Sequence, residues 1–234
     1  MRLEDPAVVR EEYASESRLA VRKAAYRFAE GPDPRDVTFE AVAEIEPRRV
    51  LEVGCGEGEL AERVSRELGC DVLALDQSER MVELTRARGV HAVVGDVQAL
   101  PFADGEFDCA VAAWMLFHVP DIWRALGELA RVLRAGGRLV AVTNASEHLR
   151  ELKDLLGLEP DSPSFWGHNG EGLLRRRFSN VERRDTSGWI AFPDRAAAQA
   201  YVDASIVYGG RQLPPLAGPV RVRRASVVFV ADKA

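Results

Sequence analysis

The sequence has few cysteines and no long apolar run, and both features exclude classes of protein. Its three cysteines among 234 residues, Cys55, Cys70 and Cys109, contain no C-x-x-C pair. An odd set with this spacing predicts neither a disulfide framework nor a zinc site, so we expect packing cysteines and no metal. No stretch approaches the roughly 20 consecutive apolar residues that cross a bilayer, which argues against a membrane protein.

A secretory signal and an excess of positive charge are also missing. Charged residues such as Arg2, Glu4 and Asp5 interrupt the N-terminal stretch, so the sequence predicts a cytoplasmic protein. The formal net charge is −6, which argues against general affinity for nucleic acid, because that affinity depends on Lys and Arg at phosphates. The composition, 47% hydrophobic and 29% charged, is typical of a folded globular domain.

Predicted strands and helices alternate between residues 48 and 145. Apolar strands are predicted at 49–53, 71–75, 90–94, 107–113 and 138–143, with helices at 59–68, 77–88 and 122–133. This alternation predicts parallel β-α-β units and therefore an α/β fold with helices on both faces of the sheet. Outside this core we expect an N-terminal helical segment, helices near 149–156 and 196–207, and strands at 181–185, 189–192 and 226–230.

The residues suited to ligand binding follow the predicted strands. A parallel sheet binds ligands at the carboxyl ends of its strands, so these positions meet at one edge. Glycines there allow a tight turn and a close approach of ligand to backbone. The positions concerned are Glu52, Gly54, Gly56, Gly58, Asp76, Asp96, Ala113, Trp114 and Asn144.

The first turn fits a cationic ligand better than a pyrophosphate. The dinucleotide fingerprint G-x-G-x-x-G would require glycine where the sequence has Glu59. Glu52, Glu57 and Glu59 surround the turn, and carboxylates repel a pyrophosphate. S-adenosylmethionine carries no phosphate but has a sulfonium and an α-ammonium, which carboxylates can bind.

Two later carboxylates suit the nucleoside part of such a ligand. Asp76 ends the second strand, where it can accept hydrogen bonds from both ribose hydroxyls, although nicotinamide dinucleotides need the same feature. Asp96 ends the third strand and can accept from an adenine amine while Val97 packs on the ring. Together these carboxylates favour S-adenosylmethionine over NAD.

Seven short motifs resemble those of the class I S-adenosylmethionine-dependent methyltransferases, in the branch with the ubiquinone and menaquinone C-methyltransferases. They are VLEVGCGEG at 50–58, LALDQS at 73–78, GDV at 95–97, LPF at 100–102, FD at 107–108, HVPD at 118–121 and LRAGGRL at 133–139. The resemblance implies a Rossmann-like sheet of seven strands in the order 3-2-1-4-5-7-6, the last antiparallel and formed by 226–230. It also implies one domain, 1–234, with a cofactor-binding core at about 37–145 and substrate or lid elements at about 1–30 and 146–225.

The resemblance assigns roles to individual residues. The methionine moiety is expected at the glycine-rich turn and the end of the fourth strand, and the nucleoside along the second and third strand ends. The implied cofactor-binding residues are Glu52, Gly54, Cys55, Gly56 and Gly58 for the methionine moiety, Asp76 for the ribose, Gln77 beside the adenine, Asp96 and Val97 for the adenine, Ala113 and Trp114 along the methionine side, and Met81.

The acceptor is less well defined by the sequence. Methyltransferases acting on amide or adenine nitrogen carry an N-P-P-Y-like or D-P-P-Y-like run after the fourth strand, where this sequence has AWML at 113–116, which disfavours those substrates. We expect a small-molecule acceptor with an O, N or C nucleophile and in-line displacement, where alignment and exclusion of water do most of the catalysis. His118 is the candidate general base for a protonated nucleophile, and a structural histidine is the alternative.

Other expectations concern the segments outside the core. Tyr13, Trp166 and His168 are candidates for lining a substrate pocket. Residues 146–234 hold 13 Lys or Arg against 11 Asp or Glu. An arginine cluster there is a candidate for binding a carboxylate or phosphate of the acceptor, and exposed arginines at a helix end are the alternative. The cluster comprises Arg175, Arg176, Arg177 and Arg183. Two other functions stay open: a catalytically silent S-adenosylmethionine-binding module and a nucleotide-dependent oxidoreductase.

Overall fold

The computed structural model describes residue 5 and residues 16–159, 163–208 and 210–234. The strands are β1 (Ala29–Glu30), β2 (Arg49–Val53), β3 (Asp71–Asp76), β4 (His91–Val94), β5 (Phe107–Ala113), β6 (Leu133–Asn144), β7 (Asn180–Phe192) and β8 (Val220–Asp232). The helices are α1 (Glu16–Ala25), α2 (Pro34–Ala43), α3 (Glu59–Leu68), α4 (Glu79–Ala87), α5 (Ile122–Val132), α6 (Arg150–Leu155), α7 (Gly170–Leu174) and α8 (Arg195–Asp203), with 3-10 turns at Tyr26–Phe28, Leu116–His118 and Ile206–Tyr208.

The strands form one sheet in the order β1-β7-β8-β6-β5-β2-β3-β4. The five strands β2 to β6 are parallel, and β8 runs antiparallel between β6 and β7. Without β1, the order read from the β4 edge is the predicted 3-2-1-4-5-7-6, and the α/β class is confirmed. The eighth strand, β1, is not predicted by the sequence; it pairs antiparallel with β7.

The prediction of two separate strands at 181–185 and 189–192 is wrong. The structure has one continuous strand, β7. Thr186, Ser187 and Gly188 have the composition of a turn, but all three pair with β8. A Cβ at Gly188 would lie 1.9 Å from the carbonyl oxygen of Glu30. The glycine therefore lets β1 lie directly against β7, where tertiary pairing overrides local propensity.

Side chains that accept hydrogen bonds from backbone amides cap the first turns of three helices. Asp33 accepts a hydrogen bond from the Arg35 amide at the start of α2, and Asp121 does so from the Arg124 amide at the start of α5. Ser78 accepts from the Met81 amide at the start of α4, which confirms the cap predicted there. Each cap satisfies an amide that has no partner inside its helix, a contribution of about 1 kcal/mol.

Three hydrophobic clusters hold the elements together. One face of the sheet packs against α5, and the other against α2, α3 and α4. The third cluster joins α1, α6 and α8 to the ends of β7 and β8 through residues such as Leu152, Tyr201 and Val222. We call these three helices, with the turns Tyr26–Phe28 and Ile206–Tyr208, the cover. The third cluster fixes the cover above the carboxyl ends of the central strands.

Candidate cofactor and acceptor site

The glycine-rich turn after β2 is held in place by β3 and α4. The Gly54 amide donates to the carbonyl oxygen of Leu75 at 2.7 Å, and the Gly56 amide donates to Oδ2 of Asp76 at 2.9 Å. The Thr85 hydroxyl donates to the Gly56 carbonyl at 3.0 Å. The turn is therefore preorganised by three contacts that come from distant parts of the sequence.

The three predicted glycines have different surroundings. A Cβ at Gly54 would lie 2.7 Å from Cβ of Met115, and one at Gly58 would lie 2.6 Å from Oγ1 of Thr85. Gly56 has φ +53°, and a Cβ there would meet nothing within 4 Å. Gly56 is thus the position at which the backbone faces open space, as a ligand that approaches the chain requires.

Glu52 presents a buried carboxylate beside this space. The residue is only 4% exposed, and its Oε2 atom has no hydrogen-bond partner among the residues that the structure describes. Burial raises the pKa of Glu52 to about 8, and the nearby Asp76 adds to the shift, while the Ala61 amide opposes it. A cationic group beside the unsatisfied Oε2 atom, such as the α-ammonium of S-adenosylmethionine, would favour the ionised form of this carboxyl and bind to it.

One cavity of about 390 Å³ extends from the turn to the cover. Its size lies in the range typical of small-molecule sites. The core contributes strand ends and backbone, and the cover contributes long side chains. The lining includes Glu52, Gly54, Cys55, Gly56, Glu57, Glu59, Ala113, Trp114, Phe117, His118 and Asn144 from the core, and Arg22, Lys23, Tyr26, His148, Lys153, Trp166, Tyr201, Ser205 and Tyr208 from the cover and neighbouring loops.

Seven predicted site residues meet at this cavity: Glu52, Gly54, Cys55, Gly56, Ala113, Trp114 and His118. Trp114 adopts φ +53°, which is unusual for a side chain of this size, and its amide donates to the Val142 carbonyl at 2.9 Å. Such strain is found mainly at functional sites, where the surrounding structure enforces it. His118 lies on the turn after β5, with its ring 4.4 Å from that of Phe117.

The other six predicted cofactor residues are not part of the cavity lining: Gly58, Asp76, Gln77, Met81, Asp96 and Val97. Asp76 lies next to it, because one carboxylate oxygen accepts from Gly56 and the other from the Ser78 amide. Burial raises the pKa of Asp76, although the hydrogen bonds from the Ser78 and Gly56 amides oppose this shift. Gln77 and Asp96 are exposed, whereas Met81 and Val97 are buried. Their roles in cofactor binding stay predictions.

The cover supplies side chains that sequence reasoning missed. Arg22, Lys153 and Tyr201 line the cavity but belong to no motif. The only signal in the sequence was their position in the predicted lid segments outside the core. Of the predicted lid residues, Trp166 lines the cavity, His168 approaches Ser146 instead, and Tyr13 lies outside the described residues.

The arginine cluster lies away from the cavity. Arg175 pairs with Glu171, Arg183 pairs with Asp185, and the Arg176 guanidinium lies over the Trp123 ring. All four arginines of the cluster are exposed and none belongs to the lining. The hypothesis that they bind the acceptor is therefore not supported by their positions.

One ion-pair group connects the cover to the glycine-rich turn. Nζ of Lys23, on α1, lies 2.5 Å from a carboxylate oxygen of Glu57 and 2.6 Å from one of Glu59. Lys23 thereby offsets two of the three carboxylates that the sequence places around the turn. The third, Glu52, remains available at the base of the cavity.

The described residues contain neither a cluster suited to holding a metal ion nor a helix with the length and apolar character needed to span a bilayer. The site is a sheet-edge cavity with a glycine-rich turn, a buried carboxyl group and a side-chain cover. Together with the strand order, these features define the class I α/β methyltransferase architecture.

Comparison with known proteins gives the same class. Residues 51–141 match the family model described as a methyltransferase domain. The chain is 37% identical over 198 residues to a malonyl-[acyl-carrier protein] O-methyltransferase of Pseudescherichia vulneris, covering 77% of this chain and 74% of that protein. It is 32% identical over 184 residues to a demethylmenaquinone methyltransferase of Thermobifida fusca, covering 73% of each.

The fold is also similar to that of a solved structure, a SAM-dependent methyltransferase from Thermotoga maritima described as a possible histamine N-methyltransferase. That match has a TM-score of 0.57 and 23% identity, and it covers 90% of this chain and 92% of the other. The chain belongs to the S-adenosylmethionine-dependent methyltransferases, and S-adenosylmethionine is its methyl donor. The predicted family, enzyme class and cofactor are confirmed, which removes the oxidoreductase alternative.

Proposed function

We propose that this enzyme transfers a methyl group to a small molecule bound in the cavity between the glycine-rich turn and the cover. The observation that carries the proposal is the cavity itself, because it joins the buried Glu52 carboxylate and the open backbone at Gly56 to a separate set of cover side chains. By their names, one relative acts on malonyl-[acyl-carrier protein] and another on demethylmenaquinone, and the second supports a small-molecule acceptor.

In this proposal the core holds the cofactor. Glu52 binds its α-ammonium, the backbone at Gly54 and Gly56 lies along the methionine moiety, and Asp76 both shapes the turn and accepts from the ribose hydroxyls. When bound, S-adenosylmethionine supplies a methyl group on a positively charged sulfur, which a nucleophile can take by in-line displacement. The protein's task is then alignment and exclusion of water.

The cover and the turn after β5 bind the acceptor. Phe117 and Trp166 form an edge-to-face pair with ring centroids 5.5 Å apart, and both line the cavity as an apolar wall. His118 lies on the same wall and is the candidate base when the acceptor atom carries a proton. We infer that the chain works as one unit, with a core at about 37–145 and covering elements at about 1–30 and 146–225.

The test combines binding and turnover. Calorimetry with S-adenosylmethionine and, separately, NAD should give saturable binding of the first alone. Labelled methyl transfer from S-adenosylmethionine into a small-metabolite extract should yield a labelled product, which a silent binding module would not form. Tight cofactor binding without transfer into any fraction would contradict the proposal and favour the silent module.

A further inference from the structure

His148 is a buried histidine on the wall of the cavity. It lies between β6 and α6, and it is only 5% exposed. An imidazole has two polar ring nitrogens, and each of them needs a hydrogen-bond partner when bulk water is excluded. The partners of the two nitrogens therefore indicate what the residue does.

One ring nitrogen has its partner in the sheet. Nδ1 accepts a hydrogen bond from the Ala225 amide on β8 at 3.2 Å, so the ring proton is on Nε2. Burial, together with the charges of Lys153 and Arg224, lowers the pKa of His148 to about 3, although the bond from Ala225 opposes this shift. The ring is therefore neutral at physiological pH, and Nε2 is a hydrogen-bond donor.

The second ring nitrogen is left for a ligand. Within the part of the chain that the structure describes, the bond from Ala225 is the only hydrogen bond of the His148 ring, and Nε2 has no partner. An N–H donor that is kept from water without an acceptor destabilises the protein. Because His148 lines the cavity, a molecule bound there can supply the acceptor atom that Nε2 lacks.

The end of β6 holds this donor beside the apolar wall of the cavity. The His148 amide donates to the Ala145 carbonyl at 3.0 Å, directly after the strand. The Gly167 amide donates to the Asn144 carbonyl at 3.0 Å, so the loop that carries Trp166 is fixed to the same strand end. One strand end therefore positions both a neutral donor and an aromatic surface along the same cavity.

We propose that His148 binds the methyl acceptor, with its Nε2 donating a hydrogen bond to a carbonyl or hydroxyl oxygen while the rest of the acceptor packs on Phe117 and Trp166. This inference rests on the proposed function and names a specificity-determining residue of the same cavity. An acceptor with an apolar group in place of that oxygen would leave Nε2 unpaired, so the site discriminates against it.

Two substitutions at His148 separate the roles of the two ring nitrogens. His148→Asn places a side-chain oxygen near the position of Nδ1, so it keeps an acceptor for the Ala225 amide and loses the donor at Nε2. His148→Gln places its amide nitrogen near the position of Nε2, so it keeps the donor and leaves the Ala225 amide unpaired. A purely structural role predicts more damage from Gln, and the proposed role predicts more damage to transfer from Asn.

Transfer is assayed with saturating labelled S-adenosylmethionine and a dilution series of a small-metabolite extract. His148→Asn should raise the apparent KM for the extract about three- to tenfold, as loss of one hydrogen bond predicts, with a smaller change in kcat. His148→Gln should keep an apparent KM near that of wild type although its Tm falls. His91→Asn changes an exposed histidine outside the cavity lining and should behave as wild type in both measurements.

Cofactor affinity separates acceptor binding from cofactor binding. In His148→Asn the dissociation constant of S-adenosylmethionine, measured by calorimetry, should stay within about threefold of wild type. If it weakens as much as transfer does, His148 binds the cofactor and the inference is wrong. If His148→Gln does not fold, the comparison of apparent KM with cofactor affinity in His148→Asn decides the question.

An unchanged apparent KM in a folded His148→Asn would overturn the role of His148 and leave the methyltransferase proposal standing. A wild-type enzyme that binds S-adenosylmethionine but transfers no label into the extract would overturn the proposed function and this inference together.

Discussion

The two walls of the cavity are built by different means. The core wall consists of strand ends and backbone within one continuous stretch of sequence, and its key distances are set by the parallel sheet. The cover wall consists of long side chains from segments before β1 and after β6, joined by the third hydrophobic cluster. The contrast teaches that the wall proposed to bind the cofactor is encoded locally, whereas the wall proposed to bind the acceptor is encoded by tertiary packing.

The largest effect on the proposed cofactor wall is expected from a substitution at Gly56. Gly56→Val should reduce cofactor affinity more than about 100-fold, because the side chain enters the ligand's space at φ +53°, and an unfavourable backbone adds to the loss. Gly69→Val is the matched control, since Gly69 has φ +66° and equally open surroundings but ends α3 outside the cavity. Calorimetry should show binding in the control alone, with both variants folded by circular dichroism.

The next largest effect is expected at Asp76. Asp76→Ala should weaken S-adenosylmethionine binding by about 1.5–3 kcal/mol, because two hydroxyls lose a charged acceptor and the Gly56 amide loses its partner. Asp71→Ala, an exposed carboxylate at the opposite end of β3, is the control. A dissociation constant unchanged in Asp76→Ala would contradict the ribose assignment.

A third effect concerns proton linkage at Glu52. Because burial raises the pKa of Glu52 to about 8, its carboxyl is protonated at pH 7 in the ligand-free protein. Binding of an ammonium favours the ionised form, so the cofactor should release up to about one proton, and affinity should rise with pH until about pH 8. Calorimetry in buffers of different ionisation enthalpy measures the released proton, and Glu52→Gln should release none from this site.

The same residue gives a stability signature with the opposite dependence on pH. In the unfolded chain Glu52 titrates near 4.5, so between pH 4.5 and about 8 only the folded state holds the proton. The stability that this proton provides is present below pH 4.5 and is lost as pH rises to about 8. Denaturant titrations should show this decline in wild type and a smaller one in Glu52→Gln, and equal declines would be evidence against the raised pKa.

The smallest effect is expected where cover and core meet. Lys23→Met should change the free energy of unfolding by less than about 1 kcal/mol, since the ion pairs to Glu57 and Glu59 are partly exposed. Hydrogen exchange should nevertheless become faster in α1 and remain unchanged in β2. Arg66→Met, which removes a surface pair on α3, should leave exchange in α1 as in wild type.

The sequence was informative where local pattern and fold coincide. The apolar runs and the glycine-rich turn predict the alternating strands and helices of the core, and the family resemblance implies the order of seven strands. Seven predicted site residues meet in the cavity. Features that depend on distant residues were not predicted. The strand β1 forms by pairing with β7, and Gly188 lies within a strand although its type is typical of a turn. Lys153 and Tyr201 could not be predicted as cavity residues, because the sequence around them does not indicate which face of their helices lies over the strand ends.

The pairing of β1 with β7 also has a consequence for how the enzyme forms. Glu30 is linked to Arg221 and Arg224 across 191 and 194 residues of sequence, through an ion pair and a backbone carbonyl contact. Contacts of such separation close late, because the loop entropy must be overcome before they stabilise anything. We therefore expect β1, which follows α1 and the turn Tyr26–Phe28, to be fixed to the sheet only after β7 and β8 have formed.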